Sequence, residues 1–385
     1  MIDFYENKSL KNKSKNELIQ SLILFRLIKN KLVFKIISFV LIVFVKIRFP
    51  FLKYIIKKTV YKQFCGGENI YQTKDTIIKL KNNNIKTSLD FVAENKKTKK
   101  DFQQYIKELK LMIKFAKKNK VDFIVIKISG LLDDKLLKKV NKNEKILKQE
   151  EEVFIKTKSQ IFEICENAKE KEIKVLFDAE ESWIQNTIDN IVLNIMYKIN
   201  KKQCWIYNTI QMYRWDRLAY LKNLINEAKE KKFFLGIKLV RGAYLEKERK
   251  DAKKNNYTSL IHSTKKETDR DFNTAIKLII KNIKYIYVFC GTHNEKSTKI
   301  LIKKMKETMI NNDDKRIFFS QLYGMSDNIS YSLKEQNFNV VKYLPYGPIF
   351  ESIPYLIRRL NENSSVSEHS KKELHLIYNE IKKRK

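Results

Sequence analysis

An α/β barrel of eight parallel strands, (β/α)8, is the fold this sequence predicts, and three observations predict it. From about residue 85 the chain alternates short β-rich runs with longer amphipathic helical patterns, eight strand-helix units over roughly 280 residues. Neither G-x-G-x-x-G nor G-x-x-x-x-G-K-[ST] occurs, which argues against a doubly wound nucleotide-binding sheet. The full 385 residues are enough for one large α/β domain with extensions.

Taken in order, residues 1–80 read as a mostly helical N-terminal arm. Its most apolar run, Ile36 to Val45, is bracketed by Lys35 and Lys46 and is too short to span a bilayer. Residues 21–62 mix Leu, Ile and Phe with Lys and Arg; a packed helix is the preferred reading, and a helix resting on an anionic membrane surface is the second. The barrel occupies residues 81–365, with strands at Ile85–Phe91, Asp122–Ser129, Ile173–Asp178, Cys204–Gln211, Phe233–Val240, Tyr285–Gly291, Arg316–Ser320 and Asn339–Tyr343. The Lys-rich residues 366–385 read as a basic helical tail. Only eight glycines occur, and Gly130, Gly236, Gly242, Gly291, Gly324 and Gly347 fall within or just after apolar runs, where backbone must turn or approach something closely.

The formal charge of +35, from 79 Lys and Arg against 44 Asp and Glu, is spread evenly as Lys among Asn and Ile. No Arg-rich patch or aromatic-interleaved RNA motif accompanies it, so nucleic acid is set aside as a partner. Cys65, Cys165, Cys204 and Cys290 are far apart and form no metal-ligand spacing with His262, His293, His369 or His375, which predicts a reduced, metal-free protein. The start, Met1-Ile-Asp-Phe-Tyr-Glu, carries no secretory or transit pattern. The expected location is the cytoplasm, with a peripheral contact on the inner face of the cytoplasmic membrane if the arm meets lipid.

Strand parity then places chemistry. In the second run Ile124, Ile126 and Ile128 share one face, leaving Lys127 on the other. In the fifth, Leu235, Ile237 and Leu239 are the apolar face and Gly236, Lys238, Val240 and Gly242 look inward. Asp178 opposes Ile173, Val175 and Phe177, and Gln211 shares its parity with Tyr207 and Thr209. Lys127, Asp178, Gln211 and Lys238 therefore gather at the C-terminal ends of strands two to five, where barrel enzymes place active sites. Unpaired charges in a barrel mouth are costly, so they predict an anionic, polar ligand. Thr292-His293-Asn294 adds a polar loop after the sixth strand. No Ser-His-Asp or Cys-His pattern supports nucleophilic acyl chemistry.

After the eighth strand, Tyr355-Leu-Ile-Arg358-Arg359-Leu-Asn-Glu362-Asn363 reads as a helix with two stripes. Ile353, Leu356, Ile357 and Leu360 dock it, while Tyr355, Arg358, Arg359 and Glu362 present a phenol, two guanidiniums and a carboxylate at helical spacing. Such a pair can grip a ligand carboxylate bidentately. Alone the stripe would be a solvated face; above a polar barrel mouth it becomes a lid.

With these residues assembled, the chain resembles the flavin-dependent proline dehydrogenases of the monofunctional kind, from about Phe64-Cys-Gly-Gly-Glu68 to the C-terminus. The resemblance is carried by Ile126-Lys127-Ile-Ser129, Phe177-Asp178-Ala-Glu-Glu181, Asn208-Thr-Ile-Gln211-Met-Tyr213, Lys238-Leu-Val-Arg-Gly-Ala-Tyr244, Gly291-Thr-His-Asn294, Gln321-Leu-Tyr-Gly-Met325, Tyr343-Leu-Pro-Tyr-Gly347 and the Tyr355 helix. It implies a distorted (β/α)8 barrel with the last barrel helix over the mouth. It also implies FAD-dependent oxidation of L-proline to Δ1-pyrroline-5-carboxylate, with hydride leaving C5 for flavin N5 and electrons passing to a membrane quinone.

On that resemblance Arg358 and Arg359, helped by Lys127, hold the proline carboxylate. Asp178 closes over the site, and Tyr244, Tyr343 and Tyr355 wall the ring. Glu362 orients the arginine pair or gates the mouth. FAD falls to Gln211, Lys238, Val240, Gly242, Ala243, Thr292, His293, Asn294 and Gln321, with Arg359 and Glu362 near both ligands. Lys238 stands where bacterial members carry Arg. The bulk of Tyr343 is expected to disfavour a 4-hydroxyl group. No aldehyde dehydrogenase segment is visible, so a separate pyrroline-5-carboxylate dehydrogenase is expected downstream. Two alternatives stay open from the residues alone: a basic membrane-surface or nucleic-acid-binding protein with a structural barrel, and a Schiff-base aldolase using Lys127 or Lys238.

Overall fold

Eight parallel strands close on themselves in sequence order: β1 (Lys86–Phe91), β2 (Phe123–Ile126), β3 (Lys174–Phe177), β4 (Ile206–Gln211), β5 (Leu235–Val240), β6 (Ile286–Gly291), β7 (Ile317–Leu322) and β8 (Val340–Tyr346). The computed structural model describes residues 4, 10, 14–30, 39–40, 54–92, 98–362 and 366–384, with the side chains of residues 28–29 and 358–372 outside that set. The predicted apolar run at residues 36–45 lies, apart from Phe39 and Val40, outside the described residues. Among the described residues no helix is long and apolar enough to cross a membrane.

Each predicted strand is present; most boundaries agree to within two residues, and two ends move by three for physical reasons. The strand predicted over residues 122–129 ends at Ile126, because residues 128–130 turn tightly. Lys127 itself stays extended, at φ −111° and ψ 124°, so its parity survives. The strand predicted to end at Tyr343 runs on to Tyr346, paired with β1 through Asp90 and Pro345. Proline is tolerated there although it has no N–H to give the ladder.

Two apolar layers follow from the alternation. The outward residues, among them Ile124, Val175, Phe177, Ile237 and Leu239, join the surrounding helices in one large core. Inside, Phe123, Tyr207, Phe289 and Phe318 plug the barrel, Phe123 lying edge-on to the other three at centroid distances of 5.0–6.0 Å. The plug fills the interior and leaves the strands' C-terminal ends polar.

The helices are delimited by local chemistry. Helix α1 (Lys15–Lys29) starts on a Ser14–Glu17 capping box, and α2 (Lys74–Asn82) leads into β1. Helix α3 (Lys99–Asn119) starts on a Thr98–Asp101 box and stops where Lys120 turns left-handed. After β2 come α4 (Asp134–Asn141) and α5 (Lys148–Glu170); α6 (Ser182–Ile199) follows β3, and α7 (Arg217–Glu230) follows β4. Helices α8 (Leu245–Lys254) and α9 (Lys265–Lys281) follow β5, and α10 (Glu295–Glu307), α11 (Asp327–Glu335) and α12 (Ile349–Glu362) follow the last three strands. The chain closes with α13 (Val366–Lys383).

A second core binds the N-terminal segment to the last helices. Leu18 and Phe25 of α1, with Ile56, Tyr61 and Phe64, pack on Ile353, Leu356 and Ile357 of α12 and on Leu376 and Ile377 of α13. Each buried Leu, Ile or Phe there is worth roughly 1.5–3 kcal/mol. Polar latches fix the register: Tyr61 Oη donates to the Gly347 carbonyl at 2.6 Å, and Gln63 Nε2 to the Gly324 carbonyl at 2.9 Å. Gly324 has φ +75°, and a Cβ there would meet the Gln63 carbonyl oxygen at 1.9 Å, so only glycine fits this junction.

Candidate functional site

The inward face of the sheet brings Lys127, Asp178, Gln211, Lys238 and Tyr343 to one end of the barrel, as parity requires. At its centre the Asp178 carboxylate bridges two lysines. Oδ1 pairs with Lys238 Nζ, and Oδ2 lies 3.5 Å from Lys127 Nζ and accepts from Tyr343 Oη at 2.9 Å. Lys127 has a second carboxylate, Asp90 on β1, which pairs with its Nζ directly. The Lys238 ammonium also sits over the Tyr343 ring at 4.6 Å, and the Lys127 ammonium is 5.8 Å from the Tyr355 ring.

Electrostatics differ between the two lysines. Burial works against the Lys127 ammonium, but Asp90 and then Asp178 outweigh it and hold the amine above the ordinary lysine range. For Lys238 burial wins over Asp178, and its proton affinity is lowered. The site thus holds one firmly charged lysine and one that is more readily neutralised.

Above this group opens a cleft with about 890 Å³ of space between atoms, its open mouth included. Its walls come from the ends of β3 to β8 and from α12: Asp178, Gln211, Lys238, Val240, Gly242, Ala243, Thr292, His293, Asn294, Gln321, Tyr343 and Tyr355 all line it. Every one of these positions carries a predicted role. Lys127 borders the cleft through Asp178 and Tyr355 without lining it, and Tyr244, at the start of α8, lies off the lining. Helix α12 carries Arg358, Arg359 and Glu362 one to two turns past Tyr355, while their side chains lie outside the described residues. Tyr355 is only 1% exposed, so the face predicted to be polar is covered at that point.

The polar wall is held from behind. Gln211 Nε2 donates to the Glu180 carbonyl at 2.8 Å, and its Oε1 accepts from the Ala243 N–H at 3.3 Å. Gln321 Nε2 donates to the Thr292 carbonyl at 3.2 Å and its Oε1 accepts from Ser330 Oγ at 2.7 Å. His293 Nδ1 meets Ser326 Oγ at 2.9 Å, and Asn294 caps α10 by accepting from the Ser297 N–H at 3.0 Å. Arg241 binds Asp269 at 2.7 Å, Thr292 Oγ1 at 2.7 Å and Ser297 Oγ at 2.9 Å. Backbone comes close at Gly242, with φ +138°: a Cβ there would meet the Tyr213 ring at 2.4 Å. Cations, amides and bare backbone beside an apolar patch of Val240, Phe289 and Leu322 fit an amphipathic ligand that carries phosphates and a planar ring.

Residue-type reasoning missed four residues here. Asp90 carries a weak signal, an acidic side chain at inward parity with Ser88 in a strand. Arg241 lines the cleft but its outward parity hides it, and Thr209 reads as ordinary strand. Glu180, buried behind Gln211, accepts from the Ser129 N–H at 3.0 Å. Burial pushes its carboxyl up to about 7 against that hydrogen bond. A folded-state value above the unfolded 4.5 means native stability is full below about pH 4.5 and is lost as pH rises through about 7. Glu180→Gln is therefore expected to raise unfolding free energy at pH 8 by about 2 kcal/mol and to leave pH 5 unchanged. Urea melts of both proteins at the two pH values check this.

Residues 73–372 match the family model described as proline dehydrogenase. The chain is 31% identical over 322 residues to the carbapenem antibiotics biosynthesis protein CarD of Pectobacterium carotovorum subsp. carotovorum, covering 83% of each chain. It is 30% identical over 381 residues to the mitochondrial proline dehydrogenase 1 of Dictyostelium discoideum, covering 86% of this chain and 66% of that one. In structure, proline utilization A from Bdellovibrio bacteriovorus matches 80% of this chain with a TM-score of 0.72 at 20% identity. The present chain spans 33% of that larger protein, and at this identity the likeness speaks to the fold.

Proposed function

Because the chain belongs to the proline dehydrogenase family, we propose that it oxidises L-proline to Δ1-pyrroline-5-carboxylate with bound FAD and passes the electrons to a quinone. The observation that carries this reading is the Lys127–Asp178–Lys238–Tyr343 cluster at the floor of the cleft. A small zwitterion needs a cation for its carboxylate and a counter-charge near its amine, and this cluster holds both signs in a buried place.

FAD fits the cleft walls, where Gln211, Lys238, Val240, Gly242, Ala243, Thr292, His293, Asn294 and Gln321 would hold it. When bound it supplies a hydride acceptor at N5 for proline C5. The protein's own contributions are positional and electrostatic. Arg358 and Arg359, with Lys127, bind the carboxylate; Glu362 keeps the arginine pair oriented. Asp178 engages the amine side and is itself held by Lys238 and Tyr343. Tyr343 and Tyr355 exclude water from the ring. Lys238 would set a cation beside the cofactor, kept protonated by Asp178 against the opposing effect of burial.

Purified protein is expected to be yellow and to lose its visible flavin absorbance on anaerobic addition of L-proline. A protein that neither binds FAD nor turns over proline would sink the proposal. Liposome flotation with and without residues 1–62, using vesicles containing anionic lipid, tests the peripheral membrane contact.

Tyr343 sets the ring specificity. Its side chain is 5% exposed and packed between Asp178 and Lys238, leaving little room for a hydroxyl on the substrate ring. Tyr343→Ser is expected to lower kcat/KM for proline and raise the hydroxyproline-to-proline ratio of kcat/KM about 10-fold, the scale of one pocket group. Parallel kinetics with the two substrates read it, and an unchanged ratio removes Tyr343 from the specificity wall.

A further inference from the structure

We propose that Asp90 is a positioning residue of this site: from the neighbouring strand it holds the Lys127 ammonium in place at the cleft edge and leaves Asp178 for the substrate's amine. The inference rests on the proline-oxidising reading above.

Asp90 is fully buried on β1, whose register with β2 brings it against Lys127. One oxygen pairs with the ammonium, and Oδ2 has no hydrogen-bond partner among the described residues. Burying a carboxylate is costly unless a cation is paired with it, and here that cation is Lys127. The balance matters one step further on. Lys127 and Lys238 both reach Asp178, which also accepts from Tyr343. Without Asp90, Asp178 would be the single carboxylate among the described residues shared by the two ammoniums, and both would draw it away from an incoming amine.

Charge follows the same geometry. The groups that face Lys127 are Asp90 on β1, Asp178 on β3, Tyr355 on α12 and Tyr105 on α3, whose hydroxyl accepts from the Lys127 N–H at 3.1 Å. Lys238 on β5 lies beyond Asp178. Cys65 and Tyr346 also feel the Asp90 charge. Asp90 is the largest of the attractions that keep Lys127 protonated against burial. Removing its charge weakens that hold, so Lys127 would lose its proton at a lower pH. A purely structural clip between β1 and β2 would alter stability without moving a pH profile.

The test uses full-length flavin-loaded protein, with L-proline as substrate and cyclopentanecarboxylate as a ring acid without an amine. For Asp90→Asn the expected results are retained flavin, kcat/KM for proline lowered about 30-fold, and an alkaline limb of kcat/KM displaced to lower pH. Asp90→Glu keeps the charge and shifts the ammonium, so its alkaline limb stays put while KM rises about 10-fold. Cyclopentanecarboxylate, which does not need Asp178, should lose less affinity to Asp90→Asn than proline does. In the background of Lys127→Gln, Asp90→Asn should add no further loss, as expected of a residue acting through Lys127.

An Asp90→Asn protein within two-fold of wild type and with an unmoved limb overturns the proposal, as do multiplicative losses in the double variant. If Asp90→Asn fails to fold, Asp90→Glu decides, and an unchanged KM overturns it. Wild-type protein that fails to oxidise proline brings down the parent reading and this one together. Wild-type turnover with an indifferent Asp90 brings down this one alone.

Discussion

Asp178→Ala is expected to lower kcat/KM for proline about 1,000-fold while flavin stays bound. The carboxylate meets Lys238, Lys127 and Tyr343 in a place where its side chain is 8% exposed. Breaking a buried pair by removing one partner costs roughly 3–5 kcal/mol, because the other charge is left without compensation. If most of that loss is felt when substrate and flavin are both in place, about 4 kcal/mol appears as three decades in kcat/KM at 1.36 kcal/mol each. The direction at Lys238 reinforces the effect. Burial already lowers its proton affinity and Asp178 is the main force opposing that, so the alanine variant's Lys238 is neutral over more of the alkaline range. Stopped-flow bleaching by proline measures the loss, and the flavin-to-protein absorbance ratio separates it from a failure to bind cofactor. Wild-type bleaching rates would remove Asp178 from the reaction, and loss of flavin would recast it as a support of the cofactor wall.

The strands were legible because most carry an apolar alternation, and period-two parity put Lys127, Asp178, Gln211 and Lys238 at one barrel end. Boundaries were less so. Residues 128–130 continue the alternation of Ile126 but turn, with Ser129 N–H bonded to Glu180, 51 residues along the chain, a partner that no local pattern contains. Asp90 gave only a weak signal for the same reason: its importance is a matter of β1–β2 register, and a lone acidic residue in a strand has no partner written beside it. Composition obscured the lysines further. With 79 basic residues in the chain, neither the buried Lys342, which pairs with Asp327 at 2.7 Å under α11, nor the Lys238 beside Asp178 stands out by type. The seat of the N-terminal segment was equally hidden, because Tyr61 and Gln63 are fastened to Gly347 and Gly324, more than two hundred residues away.

Arg358→Met should raise the KM for proline about 100-fold and leave flavin content at the wild-type level. Helix α12 begins just after β8 and carries Tyr355 into the cleft, so a residue three positions later stands one turn along the same helix. A charge-assisted hydrogen bond is worth about 1.5–3 kcal/mol, and a guanidinium can give two to one carboxylate. Losing one such grip with Arg359 and Lys127 still present corresponds to about 2.7 kcal/mol, or two decades in KM. Methionine keeps the length and the helix propensity, so the apolar packing of Ile353, Leu356 and Ile357 is undisturbed. Arg358→Lys should recover only part of the loss, because an ammonium is a point charge without the planar fork. The split between KM and kcat carries the argument. A uniform binding contact raises KM and spares kcat, whereas an arginine needed to align C5 for hydride loss would depress kcat as well. A methionine variant with wild-type KM would remove Arg358 from the carboxylate clamp and leave it to Arg359 and Lys127.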